Sequence, residues 1–120
     1  MDTEKKEMLM NAGIDVDGAM ERFLDNEMLL DRFLKKFLTD ANFEKLREAV
    51  ASGDGETAVN ASHTLKGICG NLSMSRLYEL FSDQVAAFRA GDAASAAALM
   101  EEIVPAYEDM CDVIRRNVGE

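Results

Sequence analysis

Residues 55–72 read "GETAVNASHTLKGICGNL". This stretch follows helical custom on one side and breaks it on the other. At about 100° per residue, Ala58, Ala61, Leu65, Ile68, Cys69 and Leu72 gather on one side of the wheel, the spacing of a helix laid against a core. His63 falls nearly opposite. Lys66, Gly67 and Gly70 follow it at i+3, i+4 and i+7 and share its face. Glycine inside a helix costs about 1 kcal/mol relative to alanine, and this face carries two. Both lie away from the apolar stripe. The expectation is that they are not there for packing inside the protein, but strip side chains from the surface around an exposed imidazole and give a bulky group access to it.

A neutral imidazole has a free lone pair and is a competent nucleophile. Lys66 places a positive charge within one turn of the ring, which suits an anionic group arriving at the histidine or carried by it. Other chemistries lack partners. His63 is the only histidine, so there is no histidine pair for zinc, and Cys69 is expected to face the core. Ser62 is adjacent in sequence, but helical neighbours diverge by about 100° and form no hydroxyl–imidazole pair. Each feature alone has a plainer reading: a solvated histidine, a solvated lysine, a Gly70 that prepares a helix end. Gly67, in mid-helix, is harder to explain that way.

Helical spacing continues on both sides. Residues 4–12 form a short leading helix stopped by Gly13, and a second short helix runs from Asp15 to Leu24. Asn26 is an N-cap for a run carrying Leu29, Leu30, Phe33, Phe37 and Leu38. The pattern continues through Phe43, Leu46 and Val50 until Ser52–Gly55 ends it, and Asp54 caps the histidine helix. Ser73 or Ser75 caps the next, which carries Leu77, Leu80, Phe81, Val85 and Phe88 and is closed by Gly91. Asp92 caps the last, with Leu99, Ile103, Tyr107, Met110 and Ile114. Pro105 is expected to kink or interrupt it. Four long amphipathic helices, short loops and no strand signal predict an all-α fold. The expected architecture is an antiparallel four-helix bundle at 26–118 with a short N-terminal helical extension at 1–25, one domain over 1–120.

Composition narrows the function. The chain has 120 residues, 48% of them hydrophobic and 30% charged, with a formal net charge of -10. Phosphate backbones and anionic lipid surfaces need a basic face, so neither nucleic acid nor membrane is an expected partner. The two cysteines and an N-terminus without an apolar signal segment fit reduced thiols and a cytoplasmic setting. No apolar run reaches membrane-spanning length. The acids at 15–27 place their glycine too early for a calcium loop, and no phosphate-cradling glycine loop follows a strand, so no ATP binding is expected. The methionines, Met74, Met100 and Met110 among them, read as core filler.

The segment "SHTLKGICGNLSM" resembles the signature of histidine-containing phosphotransfer (HPt) domains, roughly A-H-x-L-K-G-x-[AS]-x-x-[LI]-G. His63, Leu65, Lys66, Gly67 and Leu72 match it, and glycine is common at the position of Gly70. The flanking "AGIDVDGAMERFLDNEMLLDRFLKKF" and "FRAGDAASAAALMEEI" are also similar to standalone members, so the resemblance covers nearly the whole chain. Ser62, Cys69 and Ser73 depart from the pattern, where alanine, alanine or serine, and glycine are usual. All three are small and none removes a group the chemistry needs.

The resemblance implies a phosphotransfer protein that carries a phosphoryl group on His63 between receiver-domain aspartates. His63 would be the phosphoacceptor nucleophile and Lys66 would stabilise phosphoryl charge. Gly67 and Gly70 would supply steric clearance, and Val59 and Ile68 are candidates for partner docking, although Ile68 also reads as core edge. The partners implied are response-regulator receiver domains or a hybrid histidine kinase. The receiver would bring the Mg2+, and this chain is expected to bind no metal or cofactor and to be a monomer. The alternatives are a non-catalytic helical-bundle adaptor, or the phosphoacceptor domain of a chemotaxis-type or hybrid histidine kinase.

Overall fold

Aspartate and asparagine side chains open most of the helices in the computed structural model, which describes residues 1–118. The described residues form eight α-helices: α1 (Thr3–Asn11), α2 (Val16–Arg22), α3 (Glu27–Leu38), α4 (Asn42–Ser52), α5 (Gly55–Asn71), α6 (Ser75–Arg89), α7 (Ala93–Ala98) and α8 (Met100–Asn117). Asp2, Asp15, Asn26, Asp54 and Asp92 each accept a hydrogen bond from a first-turn amide of α1, α2, α3, α5 and α7, at 2.8–3.1 Å. These caps satisfy donors that a helix start leaves unpaired. The protein is all-helical.

The core is built from the apolar stripes. α5 lies between α4 and α6, while α3 and α6 both pack against α8. Leu34, Phe37, Leu46, Leu65, Phe81 and Ile114 are almost wholly buried, each contributing roughly 1.5–3 kcal/mol by leaving water. The Phe43 and Tyr107 rings stack with centroids 3.8 Å apart and Phe37 lies against the same tyrosine at 4.7 Å, joining α3 and α4 to α8. No helix among the described residues is long and apolar enough to cross a membrane.

The N-terminal helices join the same core through Leu9, Ile14, Val16 and Ala19. Two backbone bonds pin their loop to the turn after α5. The Asp15 amide donates to the Ser73 carbonyl at 2.8 Å, and the Ser75 amide donates to the Gly13 carbonyl at 2.9 Å. Ile14 and Met74 thereby form an isolated antiparallel bridge. On α1, Lys5 bonds Glu27 at 2.8 Å and Asp31 at 2.9 Å. Burial pulls the Lys5 pKa down, but the hydrogen bonds to Asp31 and Glu27 outweigh it and hold the ammonium above its usual value.

Three boundaries differ from the sequence expectation. The run expected from Asn26 to Ser52 divides at Thr39–Ala41. Thr39 Oγ1 donates to the Lys36 carbonyl at 3.1 Å, and Asp40 Oδ1 accepts from the Asn42 amide at 2.8 Å. Thr, Asp and Asn side chains thus compete with the helical ladder and restart it one turn later. The last helix is interrupted at Leu99, upstream of Pro105, which stays inside α8. There the Glu102 amide bonds the Leu99 carbonyl at 3.1 Å, a tightened turn. Neither Ser73 nor Ser75 caps α6. Its N-cap is Met74, with no side-chain bond, and the backbone bridge to the α1–α2 loop occupies that corner instead.

Candidate functional site

The site helix is held at both ends. At its start, Asp54 accepts from the Thr57 amide at 3.1 Å. Hydrogen bonding to the Thr57 side chain and backbone keeps the Asp54 carboxyl below its usual range, so it is an ionised cap at the positive end of the helix dipole near pH 7. At its end, the Ser73 amide bonds the Gly70 carbonyl at 3.2 Å and the Met74 amide bonds the Cys69 carbonyl at 2.9 Å. This paired closure needs a left-handed residue just past the C-cap. Ser73 occupies it with φ +55°. The glycine usual at that position in the signature therefore has a conformational reason, and serine fills it under strain.

Between these ends the two faces separate as the spacing requires. Ala58, Ala61, Leu65, Cys69 and Leu72 are buried, while His63 and Gly67 are exposed and Val59, Lys66, Ile68 and Gly70 are half-buried. Burial pushes the Cys69 thiol far above its usual pKa, with Asp40 adding to the shift. That thiol stays protonated and has no part in nucleophilic or metal chemistry at neutral pH. Among the described residues, no group of three or more His, Cys, Asp or Glu is placed to hold a metal ion.

Gly67 and Gly70 differ in what surrounds them. A Cβ built on Gly67 meets nothing within 4 Å. No internal contact requires glycine there. A Cβ built on Gly70 would lie 3.2 Å from Cδ1 and Cε1 of Tyr78. The space over Gly70 is filled from within, by a ring on α6. The expectation that neither glycine serves packing inside the protein is corrected for Gly70: it admits an aromatic neighbour across the α5–α6 turn. The Tyr78 ring in turn carries the Lys66 ammonium, whose Nζ lies 5.8 Å from the ring centroid, within the range of a cation–π contact. Beside them is an open depression of about 610 Å³ with Gly67, Gly70, Asn71, Ser75, Tyr78 and Glu79 in its lining.

Ile68 borders a second depression, of about 510 Å³, whose walls include Phe23, Phe33, Phe37 and Leu72. Phe33, assigned to the apolar stripe of α3, is 40% exposed and sits 5.3 Å from Phe23, centroid to centroid. Val59 is half-buried and stands one turn before His63.

Ser62 and Gln84 carry a contact that sequence reasoning missed. Both are fully buried. Ser62 Oγ donates to Gln84 Oε1 at 2.8 Å, and Gln84 Nε2 donates to the Ala96 carbonyl at 3.0 Å and contacts Met100 Sδ at 3.1 Å. A buried polar chain thus runs from the residue beside His63 to the α7–α8 junction and fixes the rotation of α5 about its axis. The signal was present in the spacing. Residue 84 follows Leu77, Leu80 and Phe81 at i+7, i+4 and i+3, so a polar side chain there is a core residue that needs a partner.

The family model described as Hpt domain matches residues 29–117. No curated protein and no solved structure matches the chain. The match spans the exposed His63, the open Gly67, Lys66 and most of the core that orients them. The chain belongs to the HPt domain family, whose members act in histidine phosphotransfer in two-component signalling.

Proposed function

We propose that this chain is a phosphorelay intermediate that takes a phosphoryl group onto His63 from the aspartyl phosphate of one receiver domain and yields it to the aspartate of another. The observation that carries the reading is Gly67. A mid-helix glycine one turn from an exposed histidine costs about 1 kcal/mol of helix stability, yet a Cβ there would meet nothing of this protein within 4 Å. Space kept open at that cost is space for another molecule.

In the forward step a ring nitrogen of His63 attacks phosphorus with its lone pair. The N–P bond forms, the acyl phosphate P–O bond breaks, and the receiver carboxylate leaves with its electron pair. The proton on the other ring nitrogen passes to water. Lys66 offsets phosphoryl charge, as a cation beside a developing dianion does. The receiver supplies the Mg2+ that its own phosphate chemistry uses. Gly67 leaves room for its loops, and Val59 and Ile68 flank the approach.

The reading takes residues 1–120 as one HPt unit. The arms α3–α4, α5, α6 and α7–α8 form its antiparallel four-helix bundle, and the N-terminal helices at 1–25 are an extension on it. The shared burial of Leu9 and Val16 with Leu30, Leu65 and Ile114 supports a single unit. The free thiols of Cys69 and Cys111 fit a reducing, cytoplasmic setting, and the reading takes the unit as a monomer. The test is transfer from a radiolabelled phospho-receiver. Acid-labile, base-stable label on the wild type, absent in His63→Gln and passed on to a second receiver, is the expected result. Binding of receivers without any transfer would favour an adaptor. Label taken only from a kinase and ATP would favour a kinase's own phosphoacceptor domain.

A further inference from the structure

Lys66 is half-buried in a chain of formal charge -10, where a lysine has many carboxylates to choose from. The ion pairs among the described residues join the Met1 amine to Glu27, Lys5 to Glu27 and Asp31, Lys6 to Asp17 and Arg116 to Asp112. None takes Lys66. Its ammonium lies instead over the Tyr78 ring, 5.8 Å from the centroid. Tyr78 reaches over Gly70 from the first turn of α6. The ring carbons Cδ1 and Cε1 stand where a Cβ on residue 70 would crowd them at 3.2 Å. Lys66 and Gly70 are one turn apart on the same face, so a ring laid over Gly70 lies in the path of the Lys66 side chain.

We propose that Tyr78 is a positioning residue for phosphoryl transfer, holding the Lys66 ammonium on the face of α5 that carries His63 and out of any ion pair until a phosphoryl group arrives. This rests on the phosphotransfer reading of His63. The physics favours a ring over a carboxylate for this task. A carboxylate would neutralise the lysine and compete with the phosphoryl oxygens for its hydrogens. The face of a ring attracts the cation more weakly and accepts no such hydrogen bond, so the ammonium moves to a phosphoryl dianion at little cost. Contact with the ring also narrows the rotamers of a side chain that otherwise has some of the largest conformational freedom of any residue. The pair Gly70–Tyr78 is therefore part of the site: the glycine clears space for the ring, and the ring places the lysine.

The probe is phosphoramidate, a small donor that needs no receiver. The His63 ring nitrogen forms the N–P bond, the P–N bond of phosphoramidate breaks, ammonia leaves and the imidazole proton passes to water. Phosphohistidine formation is followed in the wild type, Tyr78→Leu, Tyr78→Phe, Lys66→Gln and the Lys66→Gln/Tyr78→Leu double variant. Leucine keeps Gly70 covered by an apolar side chain but removes the ring. The Lys66 Hε protons, expected to be shifted upfield by the ring in the wild type, report the contact directly.

Tyr78→Leu is expected to lose the upfield shift and to accept phosphoryl about two- to fivefold more slowly, the range an exposed cation–π contact supports. Tyr78→Phe, which keeps the ring, restores both. In the Lys66→Gln background Tyr78→Leu adds no further slowing. Wild-type rates in Tyr78→Leu, or a loss that adds in full to that of Lys66→Gln, would overturn the proposal while leaving His63 as acceptor. No label on His63 of the wild type would overturn the phosphotransfer reading and this inference with it.

Discussion

Substituting Gly67 separates what the helix wants from what the site wants. Alanine at a solvated mid-helix position is about 0.8–1 kcal/mol more favourable than glycine. That gain is realised in full only if the added methyl meets nothing, and here it has no neighbour within 4 Å. For a chain of 120 residues, an unfolding entropy of about 2.1 cal/mol/K per residue turns 1 kcal/mol into a rise in Tm of about 4 °C. Gly67→Ala is therefore expected to melt about 3–4 °C above the wild type by calorimetry. Gly67→Leu also gains helix propensity and likewise folds, but its side chain projects into the space beside His63. Transfer from a phospho-receiver to Gly67→Leu should fall by tenfold or more, with the Tm at or above that of the wild type. Two results would refute the reasoning. A Gly67→Ala that melts below the wild type would mean the glycine serves an internal contact. A Gly67→Leu that accepts phosphate at the wild-type rate would mean the open space is not used by a partner.

Ser73→Gly should raise stability by about 0.5–1 kcal/mol in denaturant unfolding, since the left-handed φ of +55° strains serine and suits glycine. Ser62→Ala leaves the buried Gln84 Oε1 without its donor and should cost about 1–3 kcal/mol, whereas Ser62→Ala with Gln84→Leu should recover most of the loss; additive effects would show that the two residues do not act as a pair. Hydrogen bonds from Lys5 hold the Glu27 carboxyl below its usual range, and those from the Thr57 and Ser95 side chains and amides do the same for Asp54 and Asp92. A depressed carboxyl contributes stability that is fully present above its unfolded value and is lost as pH falls through the folded one. The Tm should thus be level from pH 5 to 7 and drop below about pH 4.5, and Asp54→Asn, which still caps but does not titrate there, should make the drop shallower.

The faces of α5 were legible in the sequence because they depend on one helix alone. Spacing on a wheel puts His63 opposite Leu65 and Cys69 whatever the rest of the chain does. Helix starts were legible for a similar reason, as an aspartate or asparagine acts on amides two or three residues away. What spacing does not carry is the contact between helices. The Gly70–Tyr78 approach depends on how α6 leaves the turn at Ser73, and that turn is set partly by backbone bonds to Gly13 and Asp15. The division at Thr39–Ala41 was signalled by Thr39, Asp40 and Asn42, but the apolar repeat continues across it and outweighs the signal in a reading by periodicity. Ser62 passed as merely small, because its role appears only once Gln84 is seen inside the stripe of α6.

The phosphohistidine itself is the most direct test. His63 is the only histidine, so one 15N-labelled imidazole and one 31P resonance report the site without ambiguity. After incubation with a phosphorylated receiver, the account predicts a single 31P signal coupled to a ring nitrogen of His63, with the helical amide pattern otherwise kept. Phosphate found on a carboxylate or a hydroxyl, with the His63 ring unchanged, would contradict it.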